Sequence, residues 1–565
     1  MPVKLESSSA ESKGVSSTAL QLSTVGLEMQ EDLVGSSTGA AEEDLRNGLD
    51  GGTPIVNFYR GKHVLVTGAT GFMGKVLVEK LLRSCSSIGK IYLLMRPKKR
   101  QDIFQRLKDM TDAQLFDELK ATNRHLFDKL HPVQGDITMP NLGLSASDEA
   151  LLCETVSVVF HSAATVKFDE ALKTSVDMNV LGTRRLLVLA KKMKGLQSFV
   201  HVSTAYCNCN RSEVFEYIYP APTDPDNLIH MTEWMDNNLL EEITPKLIGD
   251  RPNTYTYTKA LAETLIFKES RSLPLAIVRP SIVTGAWKEP IPGWVDSLNG
   301  ATGLFVGAGK GVLRSILCTA EKRADFVPVD VPINLMITVG WYTGTRRDGG
   351  KLLIYNCVSG ERNPILWDEI QIWGNRILRQ NPFNDAIWYP SGTFTSHYWL
   401  NNIQVFFLHL IPAHVIDLLS ILVGKKPRMI RLHSRIAKAI RALEYFTTNE
   451  WQFFSKNVPH LLSQMDPRDA AIFDFDIKKI DWENYLEDYC MGTKLFVLKE
   501  DRDSIKKARN QLRRQVLKYC RILLHITLAV CLLRYYSHHM NVFKRIWFYL
   551  MSLVIRVHHF FVKDV

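Results

Sequence analysis

The segment YTYTKALAE carries a phenol and an ammonium, Tyr255 and Lys259, four positions apart. On a helix that spacing is one turn, so the two groups share a face. A phenol at its ordinary pKa of ~10 is a poor proton-transfer group at neutral pH, and a neighbouring ammonium favours its charged form. Lys259 is therefore expected to bring the Tyr255 pKa down. Tyr257 is a competing phenol, but its spacing from Tyr255 points it elsewhere on a helix. Upstream, the run FVHVS leads into Ser203 and Thr204. A hydroxyl at the carboxyl end of a strand can hydrogen-bond a substrate carbonyl and align it for reaction. Thr204 is the first choice for that role and Ser203 the second. His201 reads as part of the strand, since no second histidine or carboxylate accompanies it.

These groups need a reaction partner, and HVLVTGATGFMGK supplies one. Gly68, Gly71 and Gly74 follow an apolar run of strand length and open a helical pattern, with Thr70, Phe72 and Met73 between them. Glycines there permit a tight turn and let backbone amides approach a pyrophosphate at the helix amino terminus. The second apolar run, IYLLM, ends in Arg96, with Lys98, Lys99 and Arg100 close behind. An acid at this point accepts hydrogen bonds from the ribose of NAD, whereas a guanidinium pairs with the extra phosphate of NADP. NADPH is the expected cofactor, with Lys259 also binding the nicotinamide ribose.

Six strand-length apolar runs (63–67, 91–95, 131–136, 156–161, 199–203 and 275–279) alternate with helical patterns. That alternation predicts an α/β fold, a Rossmann-type doubly wound parallel sheet with helices on both faces. The expected organisation is a disordered tail over 1–58, a reductase domain over 59–362, a mostly helical domain over 363–500, and a basic linker with membrane-anchoring segments over 501–565. A chain of 565 residues exceeds one domain. The Ser-, Gly- and acid-rich amino terminus lacks the basic-then-apolar pattern of a secretory signal. Nine irregularly spaced cysteines fit a reduced, cytosol-facing protein, and Cys207 with Cys209 lacks the further ligands of a zinc site, so no metal is expected. The net charge of +10 suits a polyanion, an anionic membrane or a phosphate-rich substrate without choosing among them. After the basic run of Lys506, Lys507, Arg509, Arg513 and Arg514 come two apolar segments, 522–533 and 546–555. Each is shorter than the ~20 residues of a span, but the basic flank and Tyr519, Tyr535, Trp547 and Tyr549 favour membrane attachment. A third apolar stretch, 403–423, holds His409, Pro412, His414 and Asp417 and is expected to be buried or interfacial.

TGATGFMGK, HSAATVKFDE, HVSTAY, RPNTYTYTKALAE and RPSIVTGAWKEPIPGW, continued by DFVPVDVPIN, LEYFTTNEW and DWENYLEDYCMGTK, together resemble the alcohol-forming fatty acyl-CoA reductases of animals, in the extended short-chain dehydrogenase class. The resemblance runs over about 59–498. It implies reduction of long-chain fatty acyl-CoA to the primary alcohol through a bound aldehyde, a helical domain that helps enclose the acyl chain, and a membrane-associated tail. It implies that Ala163, Asn179, Pro280 and Ser281 line the cofactor and that Asp136 meets the adenine. Ala69 stands where many relatives have glycine, and Met73 replaces a frequent leucine. CoA phosphates would seek basic groups, and Lys288, Lys310 and Arg314 are the candidates. The expected partners are the acyl-CoA and membrane lipid, not nucleic acid. The expected location is an endoplasmic reticulum or peroxisomal membrane with the catalytic part in the cytosol. A sterol or other lipid dehydrogenase or epimerase on the same fold, or an idle dinucleotide-binding scaffold, are the competing readings.

Overall fold

The computed structural model describes residues 52–98, 101–346, 351–539 and 541–562. The expected tail therefore lies outside the described residues up to residue 51, as do Lys99 and Arg100. Within 53–58 the structure departs from the expectation. Pro54–Tyr59 forms helix α1, with Ile55 and Tyr59 buried. The Tyr59 hydroxyl donates to Ile337 O at 2.7 Å, and Asp469 accepts from Ile55 N at 2.9 Å. An apolar residue every helical turn was enough to dock a segment that composition assigned to the tail.

Seven parallel strands form the central sheet: β1 (His63–Thr67), β2 (Ile91–Met95), β3 (Leu130–Gln134), β4 (Val156–His161), β5 (Ser198–Val202), β6 (Leu275–Pro280) and β7 (Leu353–Cys357). Their order is 7-6-5-4-1-2-3, with the chain reversing direction across the sheet between β1 and β4. Such a reversal opens a crevice at the carboxyl ends of the strands. Strands β1, β2, β5 and β6 are buried almost throughout, which is why they read as continuous apolar runs. One apolar cluster packs on each face, Val64, Val66, Leu93 and Val200 on one side and Leu65, Leu94, Val159 and Phe199 on the other.

Five helices position the site and its surroundings. Helix α2 (Phe72–Ser84) follows β1, and α3 (Ile103–Thr111) follows β2, capped by Asp102 accepting from Gln105 N. Helix α4 (Thr254–Glu269) carries the tyrosine and lysine, and Asn253 caps it by accepting from Thr256 N at 2.9 Å. Helix α5 (Ala301–Gly309) and α6 (Asp330–Thr345) lead to β7.

Beyond β7 the chain is mostly helical: α7 (Trp367–Gln380), the run α8 (Tyr398–Leu422), α9 (Met429–Thr448), α10 (Trp482–Gly492), α11 (Ser504–His539) and α12 (Asn541–Val562). Helix α11 is 36 residues long, so the basic run and the first apolar tail segment are one rigid element rather than a linker and an anchor. No glycine or proline interrupts it, and Lys, Arg, Gln and Leu are good helix formers. Among the described residues two helical stretches, Tyr398–Leu422 and Ser504–Tyr535, are long and apolar enough to cross a membrane.

Candidate functional site

A cleft of about 600 Å³ opens at the carboxyl ends of the strands. The glycine loop after β1, Arg96 after β2, Asp136 after β3, Ala163 after β4, Ser203 and Thr204 after β5, and Pro280 and Ser281 after β6 all line it. Two glycines of the loop are required by close approach. Gly68 has φ of +77°, and a Cβ there would lie 2.8 Å from Ala163 N. At Gly74 a Cβ would lie 2.2 Å from Gly68 O. Gly71 precedes the first turn of α2, so the unpaired amides of that turn face the cleft where an anionic pyrophosphate would gain most. Thr70, Phe72 and Met73 line the same wall. The loop thus fits a dinucleotide by its backbone.

The β2 end is basic. Arg96 faces the cleft, about half exposed, with Nη1 3.7 Å from Asp136 Oδ2. Arg106, which the sequence reading missed, reaches in from α3. Its guanidinium donates to Arg96 O and, at 3.0 Å, to Thr70 Oγ1. The signal was a helix opening at Asp102, whose second turn must face back over the end of β2. Asp136 is held by Thr138, whose amide and hydroxyl donate to Oδ1 at 3.0 and 2.9 Å.

Tyr255, Lys259, Thr204 and Ser203 meet in this cleft. Lys259 is buried and donates to Val202 O at 2.7 Å. Burial lowers its pKa to about 8, with Glu263 opposing the fall. The phenol behaves otherwise than expected: burial raises the Tyr255 pKa, and a hydrogen bond with Thr204 offsets the rise only in part. Desolvation of the phenolate thus keeps the Tyr255 phenol protonated at neutral pH in the ligand-free protein. Thr204 Oγ1 donates to Pro280 O at 3.4 Å and accepts from Tyr206 N at 3.2 Å. Among the described residues the buried Ser203 hydroxyl has no hydrogen-bond partner, so it offers a donor to a bound oxygen. Tyr257 turns away, its hydroxyl donating to Thr223 Oγ1 at 3.0 Å.

Beneath the cleft, Arg279 of β6 grips Glu263 of α4 through Nε to Oε1 at 2.8 Å and Nη2 to Oε2 at 2.6 Å. Both side chains are buried, and Arg279 also donates to Phe215 O and Tyr217 O. A bidentate pair with its remaining donors satisfied fixes the helix that carries Tyr255 and Lys259 against the sheet. His161 fixes the β1 and β4 ends. Ala163 N donates to Thr67 Oγ1, which lies 2.8 Å from His161 Nδ1, while His161 Nε2 lies 3.0 Å from Thr183 Oγ1. Because Thr183 donates to Asn179 O, its oxygen accepts from Nε2, leaving Nδ1 the acceptor. Burial, with a smaller contribution from Lys259, lowers the His161 pKa to about 3 and keeps the ring neutral. His201 is buried beside it, and among the described residues neither of its ring nitrogens has a hydrogen-bond partner.

Four proposed residues stand outside the cleft lining. Asn179 supports it from behind, accepting from Thr165 N at 2.9 Å and donating to Thr258 Oγ1 at 3.0 Å. Lys288 pairs with Asp474 at 3.0 Å and lies over the Trp287 ring. Lys310 pairs with Glu500 at 2.7 Å, and Arg314 stacks over Trp388. These cations answer carboxylates and rings of the chain itself.

A seven-stranded sheet of this order, with a glycine loop after its first strand and a tyrosine and lysine one turn apart at the strand ends, defines a dinucleotide-binding reductase of the Rossmann type. Solved structures agree on the fold. The terminal R domain of the myxalamid biosynthetic pathway superposes with a TM-score of 0.51 at 21% identity, covering 77% of this chain and 90% of that one. The R domain of a nonribosomal peptide synthetase from Mycobacterium tuberculosis gives 0.52 at 20%, covering 79% and 96%. Two family models described as male sterility protein, the first an NAD-binding domain, match residues 66–336 and 408–500. Fatty acyl-CoA reductase 1 of Xenopus laevis is 43% identical over 507 residues, 90% of this chain and 98% of the relative. The human fatty acyl-CoA reductase 1 is 42% identical over 88% of this chain and 96% of its own, and mouse fatty acyl-CoA reductase 2 matches equally over the same shares. The chain belongs to the fatty acyl-CoA reductase family.

Proposed function

We propose that this chain reduces a long-chain fatty acyl-CoA to the primary alcohol and free CoA, using two NADPH in turn and holding the aldehyde between the two reductions. NADPH supplies the hydride to the carbonyl carbon in each. Thr204, with Ser203 and Tyr255, hydrogen-bonds the carbonyl oxygen and stabilises the charge that develops there. Collapse of the hemithioacetal oxyanion breaks the carbon–sulfur bond and releases the CoA thiolate. In the second reduction Tyr255 gives its proton to the alkoxide. Lys259 binds the nicotinamide ribose and keeps an ammonium near the phenolate left behind. The observation that carries this reading is the meeting of Tyr255, Lys259, Thr204 and Ser203 in the cleft that the glycine loop and Arg96 also line; burial, which raises the Tyr255 pKa, suits the phenol to act as an acid. Arg96, backed by Arg106, favours the phosphate of NADPH.

The acyl chain extends toward a second, apolar cavity of about 80 Å³ among α5, α7 and α10, walled by Ala308, Leu378 and Leu486. Thr302 lines the cleft and Tyr489 lines the cavity, and their hydroxyls are 2.5 Å apart. Each buried methylene contributes ~0.8 kcal/mol, so a chain seated there holds the aldehyde while the cofactor exchanges. The region beyond residue 363 then serves as the acyl-chain domain, and α11 with α12 attaches the enzyme to an endoplasmic reticulum or peroxisomal membrane with the cleft in the cytosol. Incubation of the purified protein with NADPH and a series of acyl-CoAs, followed by mass spectrometry of the lipids, should give two NADPH oxidised per alcohol. NADPH consumption without alcohol, or no consumption, overturns the reading.

A further inference from the structure

The helical run α8 is 25 residues long, yet only 17% of its most apolar stretch is buried. Trp399, Phe407, Leu418, Leu419, Leu422 and Val423 are each more than half exposed. An apolar surface of this extent on one element needs an occupant. It contains a single charged residue, Asp417, and that carboxylate is spent on the turn: it accepts from the amides of Arg428, Met429 and Ile430 at 2.8 to 3.0 Å, capping the start of α9. The two helices therefore form a hairpin closed by Gly424 to Arg428.

Both ends of the hairpin are tied to one short segment of the body. Near the start of α8, Ser315 Oγ lies 2.8 Å from Asn401 Oδ1 and 2.7 Å from Gln404 Oε1, and Arg314 N donates to His409 Nε2 at 2.9 Å. At the end of α9, Thr447 Oγ1 donates to Leu317 O at 2.9 Å, and Thr319 N donates to Thr447 O at 3.0 Å. An element that leaves and returns within residues 314–319 ends on the side where it began. Its returning limb is also unfit for hydrocarbon. From Asp417 to Glu444 the chain has seven basic residues and no acid between, and Lys425, Lys426, Arg428, Arg431, Arg435 and Arg441 are exposed. Among the described residues Lys438 alone of the seven pairs with a carboxylate, Asp169, at 2.8 Å.

We propose that this hairpin is a monotopic membrane contact, separate from the carboxy-terminal helices: α8 lies within one leaflet while the turn and α9 rest on anionic headgroups. A span is excluded by the tethers and by the charge of α9. The arrangement of an apolar face beside a Lys- and Arg-rich one is that of an interfacial helix, which sinks to the boundary between headgroups and acyl chains. The partner is thus an anionic bilayer surface. The paired strands Ser315–Leu317, which carries tethers of the hairpin, and Thr393–Thr395 contribute Ile316 and Phe394 to the apolar cavity, so the hairpin is anchored on the cavity's wall.

The test uses the full chain with Cys153, Cys520 and Cys531 replaced by serine and an environment-sensitive fluorophore on Leu419→Cys or, independently, Leu422→Cys. On vesicles rich in phosphatidylserine the emission should shift to the blue, and lipid brominated near the headgroup end of its chains should remove most of it. Lys425→Glu with Lys426→Glu should reduce the shift. Unchanged emission while the protein sediments with the vesicles would overturn the proposal, because the tail would then be holding a hairpin that stays in water. Stronger quenching by lipid brominated at the methyl end would mean a span, and a blue-shifted label before vesicles are added would mean that protein covers the face; either result overturns it. An equal shift in the charge variant overturns the anionic partner.

Discussion

Replacing Lys259 by methionine should abolish most turnover, and the stability of the ligand-free parent relative to the variant should rise with pH. The Lys259 ammonium is buried and its pKa is lowered from 10.5 to about 8, by burial first. At ~1.36 kcal/mol per pKa unit this depression costs the folded state roughly 3 kcal/mol at neutral pH. The sign follows from proton binding. Between pH 8 and 10.5 the unfolded chain holds the proton and the folded one has lost it, so stability of the parent rises with pH across that window. Below pH 8 both states are protonated and the full cost remains; above 10.5 both are neutral and it is gone. The hydrogen bond from Nζ to Val202 O offsets roughly 1.5 to 3 kcal/mol of the gain in the methionine variant. The net difference at pH 7 is therefore small, but its change with pH is not. Unfolding of parent and Lys259→Met, followed by denaturant at pH values from 7 to 10.5, should show the parent gaining about 3 kcal/mol relative to the variant. A difference independent of pH would refute the argument that burial of a charged Lys259 is a cost that the cleft carries for its chemistry.

Tyr255→Phe should lower turnover about 10²- to 10⁴-fold with NADPH affinity close to unchanged, measured by steady-state kinetics and cofactor titration; activity within a few fold of the parent removes Tyr255 as the acid. Arg96→Asp should cut the NADPH over NADH preference by roughly tenfold or more, the scale of losing a charged hydrogen bond. If the ratio of specificity constants holds, Arg106 carries the phosphate instead. Ala308→Leu, filling the apolar cavity, should lower kcat/KM for the longest acyl-CoA by about tenfold while short chains are spared, since ~0.8 kcal/mol is lost per displaced methylene. A profile of chain-length preference identical to the parent would separate the cavity from the substrate.

The sheet was legible because most of its strands are buried on both faces and so are continuous apolar runs. All six expected strands are present, with their ends shifted by a residue or two. The seventh, Leu353–Cys357, is as apolar but lies at an edge after α6, beyond the alternation that identified the others. The glycines, Arg96 and the Tyr255 and Lys259 pair were legible because spacing alone determines their geometry. What spacing cannot carry is the environment. Lys288 and Lys310 look like free cations in the sequence, yet their partners Asp474 and Glu500 are 186 and 190 positions away. The stretch 403–423 has too many polar residues for a typical span, and the expectation of a buried or interfacial helix followed. In three dimensions His409 and Asp417 turn inward to satisfy amides, leaving the outward surface apolar.

The same limit explains the phenol. The spacing along α4 predicts a lowered Tyr255 pKa, because it puts the Lys259 ammonium one turn from the phenol and carries no information on burial. The fold adds desolvation, which raises it, and directs Lys259 to Val202 O. It also adds Glu263, one turn beyond Lys259 and held by Arg279 from the neighbouring strand, and that carboxylate keeps the Lys259 pKa from falling further. Without it burial would lower the Lys259 pKa further. The RPSIV segment thus acts on the chemistry at a distance: Arg279 touches neither cleft nor substrate, but by clamping Glu263 it lets Lys259 stay charged in a site where charge is costly. A protonated phenol and a protonated lysine in one cleft are the state in which reduction can begin, and Glu263, held by Arg279, helps to keep the lysine charged.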